Sequence, residues 1–189
     1  ALKQAVLIGY LRTNPTEACI LPRIIRKEMH PLEEDQVAVF LREVQGHPHE
    51  YLYKIALFTG LREGEVLGLG WEHIDFQTGT LTVTRQLRRE QKKGGEYYFS
   101  PPKNNKSRCL TLAPSVIQLF RLQKLEQNSM RMEAGDAWEE HGLIFTNQTG
   151  GYLSYRTVYD CFKRIVRNIG APATRFHDLR HTFAVASIK

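Results

Sequence analysis

Near the end of the chain, in "RFHDLRH", His177, Arg180 and His181 stand at i, i+3 and i+4, so a helix would set all three on one face. A guanidinium presents a planar fork that grips two phosphoryl oxygens at once, and an adjacent imidazole can bind a third oxygen or move a proton. The string also comes close to the H-E-x-x-H pattern of zinc hydrolases. Asp178 is too short for the glutamate's task there, however, and Arg180 would set a fixed cation beside the metal. The chemistry this spacing suits is the binding of an anionic phosphoryl group. Attack on a phosphodiester builds negative charge that fixed cations can neutralise in place of metal ions, and no metal or cofactor is expected.

Two further segments could add cations. In "TGLREGE", Arg62 follows the Thr59–Gly60 turn, and Glu65 lies three residues on, where it can hold the arginine. In "SPPKNNKSR", Lys103 and Lys106 compete for a role at the tip of a hairpin, where a mobile ammonium could protonate a leaving alkoxide. Taken singly, Arg62–Glu65 is a surface ion pair and the lysines keep a turn soluble.

The formal net charge is +6 over 189 residues, and its distribution is uneven. Eight Lys or Arg face two Glu between Arg85 and Arg108, and seven face two Asp between Arg156 and Lys189. Two basic blocks imply a positive surface and a phosphate-backbone partner. Arg108, Arg156 and Lys163 are the candidates for DNA contact. No apolar run is long enough for a transmembrane helix, and no secretory pattern is present. Cys19, Cys109 and Cys161 are odd in number and widely spaced, which fits reduced thiols.

The elements that must position these residues follow from periodicity. A helix is expected over 1–12, then a proline-punctuated basic linker with a domain boundary near Pro22. "PLEEDQVAVFLREVQGHP" reads as a helix with acids in its first turn, and "HEYLYKIALFTG" as a buried one. A short helix follows, running out at Gly68 and Gly70. "TGTLTVTRQL", "GEYYFSPP" and "SRCLTLAP" read as three strands of an antiparallel meander with a basic tip. Pro114 opens a long helix at N1, a strand and turn follow over 142–154, Ser154 caps another helix, and the last helix carries "FHDLRHTFAVASI". The expected fold class is mainly α with a small antiparallel β-sheet, an α+β architecture.

"TGLREGEVLGLGWEHIDF", "PPKNNKSRCLTL", "LIFTNQTGG" and "RFHDLRHTFA", in that order, resemble the catalytic domain of the tyrosine site-specific recombinases, the phage-integrase family. The resemblance implies that residues 1–22 end a core-binding domain and its linker, and that 23–189 form a catalytic domain. It implies that Arg62 and Arg180 grip the scissile phosphate, that His177 assists, that Lys103 is the general acid and that Glu65 supports. A tyrosine would attack to form a 3′-phosphotyrosine bond. In the family this tyrosine follows the H-x-x-R block, whereas all eight tyrosines here precede it. The expectation is therefore that the nucleophile lies beyond Lys189 and that residues 1–189 do not cleave DNA. The implied partner is double-stranded DNA, bound by a tetramer on paired sites in a bacterial cytoplasm. A type IB topoisomerase and a non-enzymatic DNA-binding protein are the alternatives.

Overall fold

The computed structural model describes residues 1–20, 28–92, 94–103 and 105–186, the last by its backbone alone. The boundary expected near Pro22 lies outside the described residues.

The helices are α1 (Leu2–Leu7), α2 (Glu34–Glu43), α3 (Glu50–Thr59), α4 (Glu63–Leu67), α5 (Pro114–Ala134), α6 (Tyr155–Asn168) and α7 (Asp178–Ala186), and α2 to α7 enclose the core. Five short strands, β1 (Ile74–Asp75), β2 (Thr80–Val83), β3 (Gln86–Arg89), β4 (Tyr97–Ser100) and β5 (Arg108–Thr111), lie between α4 and α5. The fold is thus helix-rich with small antiparallel sheets, as expected. The expected first helix over 1–12 is shorter, because Gly9 turns the chain left-handed at φ 79° and no residue of α1 is buried to hold it longer.

Helix α3 is the centre of the molecule. Leu52, Tyr53, Ile55, Ala56 and Leu57 are all buried, and α5 and α7 pack against it. Only Glu50, Tyr51, Lys54 and Phe58 keep some exposure, which suits a helix walled in by neighbours on its other sides. Phe40 of α2 meets Tyr53 and Phe162 of α6 edge-on, and Phe162 and Phe176 lie tilted against Tyr53 in the same aromatic cluster. The Tyr53 hydroxyl donates to the Val158 carbonyl at 2.8 Å, tying α3 to α6.

The meander reading needs correction. "TGTLTVTRQL" is two strands in two different sheets. Strand β2 pairs with β1 and β5, with Val83 opposite Arg108, while β3 and β4 form a separate hairpin with Arg89 opposite Tyr97. The break falls at Thr84–Arg85. There the Arg85 guanidinium donates to the Gly68 carbonyl (2.9 Å), pairs with Glu72 (2.9 Å) and lies over the Phe99 ring. A side chain that anchors its own backbone sideways ends one strand and aims the next across α4. That crossing needs glycine. A Cβ at Gly68 would meet the Leu87 backbone nitrogen at 2.8 Å, and one at Gly64 would meet the Tyr155 hydroxyl at 2.1 Å. Lys103 consequently sits in the connection between the two sheets, not at a hairpin tip.

Candidate active site

Glu65 is the residue around which the site is organised. It sits in the first turn of α4 and is fully buried. One carboxylate oxygen accepts from the Arg62 backbone N–H (2.9 Å), which caps the helix, and the other accepts from Arg62 Nη1 (3.0 Å). From β5, Arg108 closes on the same carboxylate in a two-pronged pair, Nη1 to Oε1 at 2.9 Å and Nη2 to Oε2 at 2.6 Å. Burial by itself would raise the acid's pKa. The Arg108 and Arg62 hydrogen bonds and the Arg108 charge outweigh it and hold the carboxyl at about 2. One anion buried between two partly exposed guanidiniums leaves a net positive surface with both forks fixed.

Helix α7 brings the remaining groups. Arg180 Nη1 donates to the Gly60 carbonyl at 2.6 Å, at the αL turn (φ 61°) that ends α3. Its own pKa is lowered, first by burial and then by the charges of Arg62 and Arg108, so the three guanidiniums feel one another. His177 is also held below the usual histidine range, by burial, then His181, then Arg62 and Arg180. Its imidazole meets that of His181 edge-to-face at 5.4 Å between centroids. Three arginines and two imidazoles crowded together, with Glu65 and Asp178 as the nearby acids among the described residues, form a preorganised anion site.

His177 does not lie inside the last helix, as expected from sequence, but just before its first residue, Asp178. The sequence reading also missed why. Buried Asp178 accepts from the Arg175 backbone N–H (2.9 Å) and clasps its guanidinium (2.9 and 2.8 Å). That is the geometry of Arg62 and Glu65 repeated: an arginine at i, an acid at i+3, and a cap between them. The pattern is visible in both strings and marks two helix starts. It also spends Asp178 on Arg175, which removes this carboxylate from any zinc-type role.

The other predicted residues fall as follows. Lys103 is exposed and makes no hydrogen bond or ion pair among the described residues, five residues before Arg108. Pro102 beneath it is buried, and Asn105, at φ 52°, closes the turn onto the Pro102 carbonyl at 2.8 Å. Five residues of chain span at most about 17 Å, which bounds the separation of Lys103 from Arg108. Arg156 projects from the start of α6, 90% exposed, 3.5 Å from Asp160. Lys163 donates to the Pro172 and Thr174 carbonyls (2.5 and 3.0 Å) and so ties α6 to the loop before α7.

Next to the cluster lies a second acid of opposite character. Glu63 Oε1 is buried without a hydrogen-bond partner, and burial raises the carboxyl to about 7. Its field falls on Tyr53 and Tyr155, on the side of α4 that faces α3 and α6. A folded pKa above the ordinary glutamate value of 4.5 means that the folded state holds the proton more tightly. Stability is then full below about pH 4.5 and declines as pH rises through about 7. Glu63→Gln is expected to gain about 1–3 kcal/mol at pH 8 and almost nothing at pH 4.5. Urea titrations at the two pH values check this.

The phage integrase family model matches residues 30–189. Among curated relatives, the chain is 29% identical over 196 aligned residues to a tyrosine recombinase XerC-like protein of Caldanaerobacter subterraneus subsp. tengcongensis, covering 95% of this chain and 50% of that one. It is 24% identical to an integrase of Saccharopolyspora erythraea, covering 97% and 54%. The chain thus spans about half the length of the curated relatives it matches. Among solved structures, the Tn1549 transposon integrase in complex with a circular intermediate DNA shares the fold at a TM-score of 0.75 and 24% identity, over 98% of this chain and 63% of that one. The XerA recombinase does so at 0.62 and 20%, over 88% and 52%. A family model that takes in α2 to α7, and a fold held in common from end to end, meet the expectation raised by the four motifs: the chain belongs to the phage integrase family, the tyrosine recombinases.

Proposed function

We propose that this chain is the catalytic portion of a site-specific DNA recombinase that exchanges strands by transesterification, without metal or cofactor. The observation that carries the reading is the cluster of Arg62, Arg108 and Arg180 with His177 around buried Glu65. Arg62 and Arg180 bind the non-bridging oxygens of the scissile phosphate. Arg108 holds Glu65, and through it Arg62, and turns its remaining donors to the backbone. His177, whose pKa is lowered by burial and then by His181, Arg62 and Arg180, accepts or returns the nucleophile's proton. Lys103 protonates the leaving 5′ oxygen when its loop closes on DNA. Arg156 and Lys163 contact flanking phosphates on α6.

The nucleophile is a tyrosine that forms a 3′-phosphotyrosine bond, and a 5′-hydroxyl later reverses that step. The covalent bond preserves the phosphodiester energy, so no nucleotide is consumed. Two tyrosines of the chain have committed hydroxyls: Tyr53 donates to the Val158 carbonyl and Tyr155 to the Leu87 carbonyl at 2.7 Å. In this reading residues 1–189 bind DNA but do not cleave it, and protomers act as a tetramer on paired sites in a bacterial cytoplasm.

A nicked duplex, selected for affinity from a random pool, provides the test. The product of the full reading frame should form a covalent adduct with it, and residues 1–189 should bind without one. Tight binding by both without an adduct would favour a non-enzymatic DNA-binding protein. Plasmid relaxation independent of site would favour a topoisomerase. Lys103→Ala should slow adduct formation by about 10²-fold or more, and a 5′-thiol leaving group, which needs little protonation, should restore it. Failure of that rescue moves the acid's role to Lys106 or His177.

A further inference from the structure

A groove runs along α5, away from the arginine cluster in sequence and opposite to it in charge. From Leu122 to Ala134 one wall is about 18 Å of helix. Across from it stand the α2–α3 turn at Gly46–Glu50 and the Gln148–Thr149 turn. Two cavities of about 510 and 370 Å³ lie side by side along it and have Gly46 and Glu126 in common in their walls.

Its chemistry is uniform. Glu50, Glu126 and Glu133 line it, and among the described residues no lysine or arginine does, in a chain whose net charge is +6. Glu50 is engaged by Lys54, whereas Glu126 and Glu133 have no ion-pair partner among the described residues. Partial burial, and then the Glu50 charge, push the Glu126 carboxyl up. Apolar surface lies between the acids: Leu125 is 64% exposed, with Tyr51, Leu122 and Met130 half-buried beside it.

A polyanion is repelled here, so the groove is not a continuation of the DNA surface. Three turns of helix fit its length, lysines or arginines match its carboxylates, and a row of leucine-like side chains would cover Leu125 and Met130. We propose that this trough docks a basic amphipathic helix of a partner protein, which leaves the phosphate site free for DNA.

The probe is a fluorescein-labelled 14-residue peptide of leucine and lysine, helical and two-faced, titrated against residues 1–189 by anisotropy. Saturable binding is expected, weakened about tenfold or more by Glu126→Gln with Glu133→Gln, and similarly by Leu125→Ser. A scrambled peptide of equal composition should bind at least tenfold more weakly. DNA affinity should be unchanged in all variants, which keeps this result separate from the fate of the recombinase reading. Absence of saturable binding overturns the proposal. So does equal binding by the variants or the scrambled peptide, and so does weakening by charge removal alone, which would mean diffuse attraction to acids. Leu125 and Glu133 are exposed, so the variants are expected to keep the wild-type unfolding midpoint; a shifted midpoint would mean these side chains hold the fold rather than dock a partner, and would overturn the proposal as well.

Discussion

Glu65→Gln is expected to destabilise the folded domain by about 2–4 kcal/mol at pH 7, and to loosen the phosphate site at the same time. The amide keeps the shape but loses the charge that Arg62 and Arg108 share. Breaking a buried pair by removing one partner costs more than the pair is worth, because the other charge stays behind. Both guanidiniums are about a third exposed and recover some hydration, which sets the lower end of the range. The pH dependence identifies the cause. A carboxyl depressed to about 2 contributes stability that is fully present above about 4.5 and is lost as pH falls towards 2. The gap between wild type and variant, measured by urea unfolding, should therefore be constant from pH 8 to 5 and close below that. A gap that persists at pH 2.5 would assign the loss to packing instead.

Arg180→Lys has the largest expected effect on chemistry. In the full-reading-frame product, adduct formation should fall by about 10²- to 10³-fold, while DNA affinity changes by less than about tenfold. Arg180 does two things at once: Nη1 holds the Gly60 carbonyl, and the rest of the planar fork remains for phosphate oxygens. A lysine ammonium can reach one of these partners but not both in fixed orientation. On the proposed function the other basic residues keep their phosphate contacts, so binding is expected to persist. Cleavage at the wild-type rate would remove Arg180 from the site. Equal loss of binding and cleavage would make it an affinity residue only.

Much of this molecule was legible in one dimension. Positions of α2, α3, α5 and α6 follow from apolar spacing, from Pro114 at N1 and from Gly60 and Gly170 beyond helix ends, because these signals are local backbone physics. The arginines of "TGLREGE" and "HDLRH" could be singled out because residue type and spacing within one turn limit what a side chain can do. Two things were not local. Strand pairing placed β3 in its own hairpin, since the Arg85 anchor and the Gly68 crossing depend on neighbours 13 or more residues away. In sequence Arg108 reads as a candidate for DNA contact, because nothing around it reveals the carboxylate 43 positions earlier that holds it. Sequence by itself set which groups are present and which helix turns carry them. Only the tertiary structure decided that a single buried acid should gather two of the arginines, and that α7 should bring the third to the same place. The reason is that opposite charges, once out of water, are stable only where the chain brings them into contact.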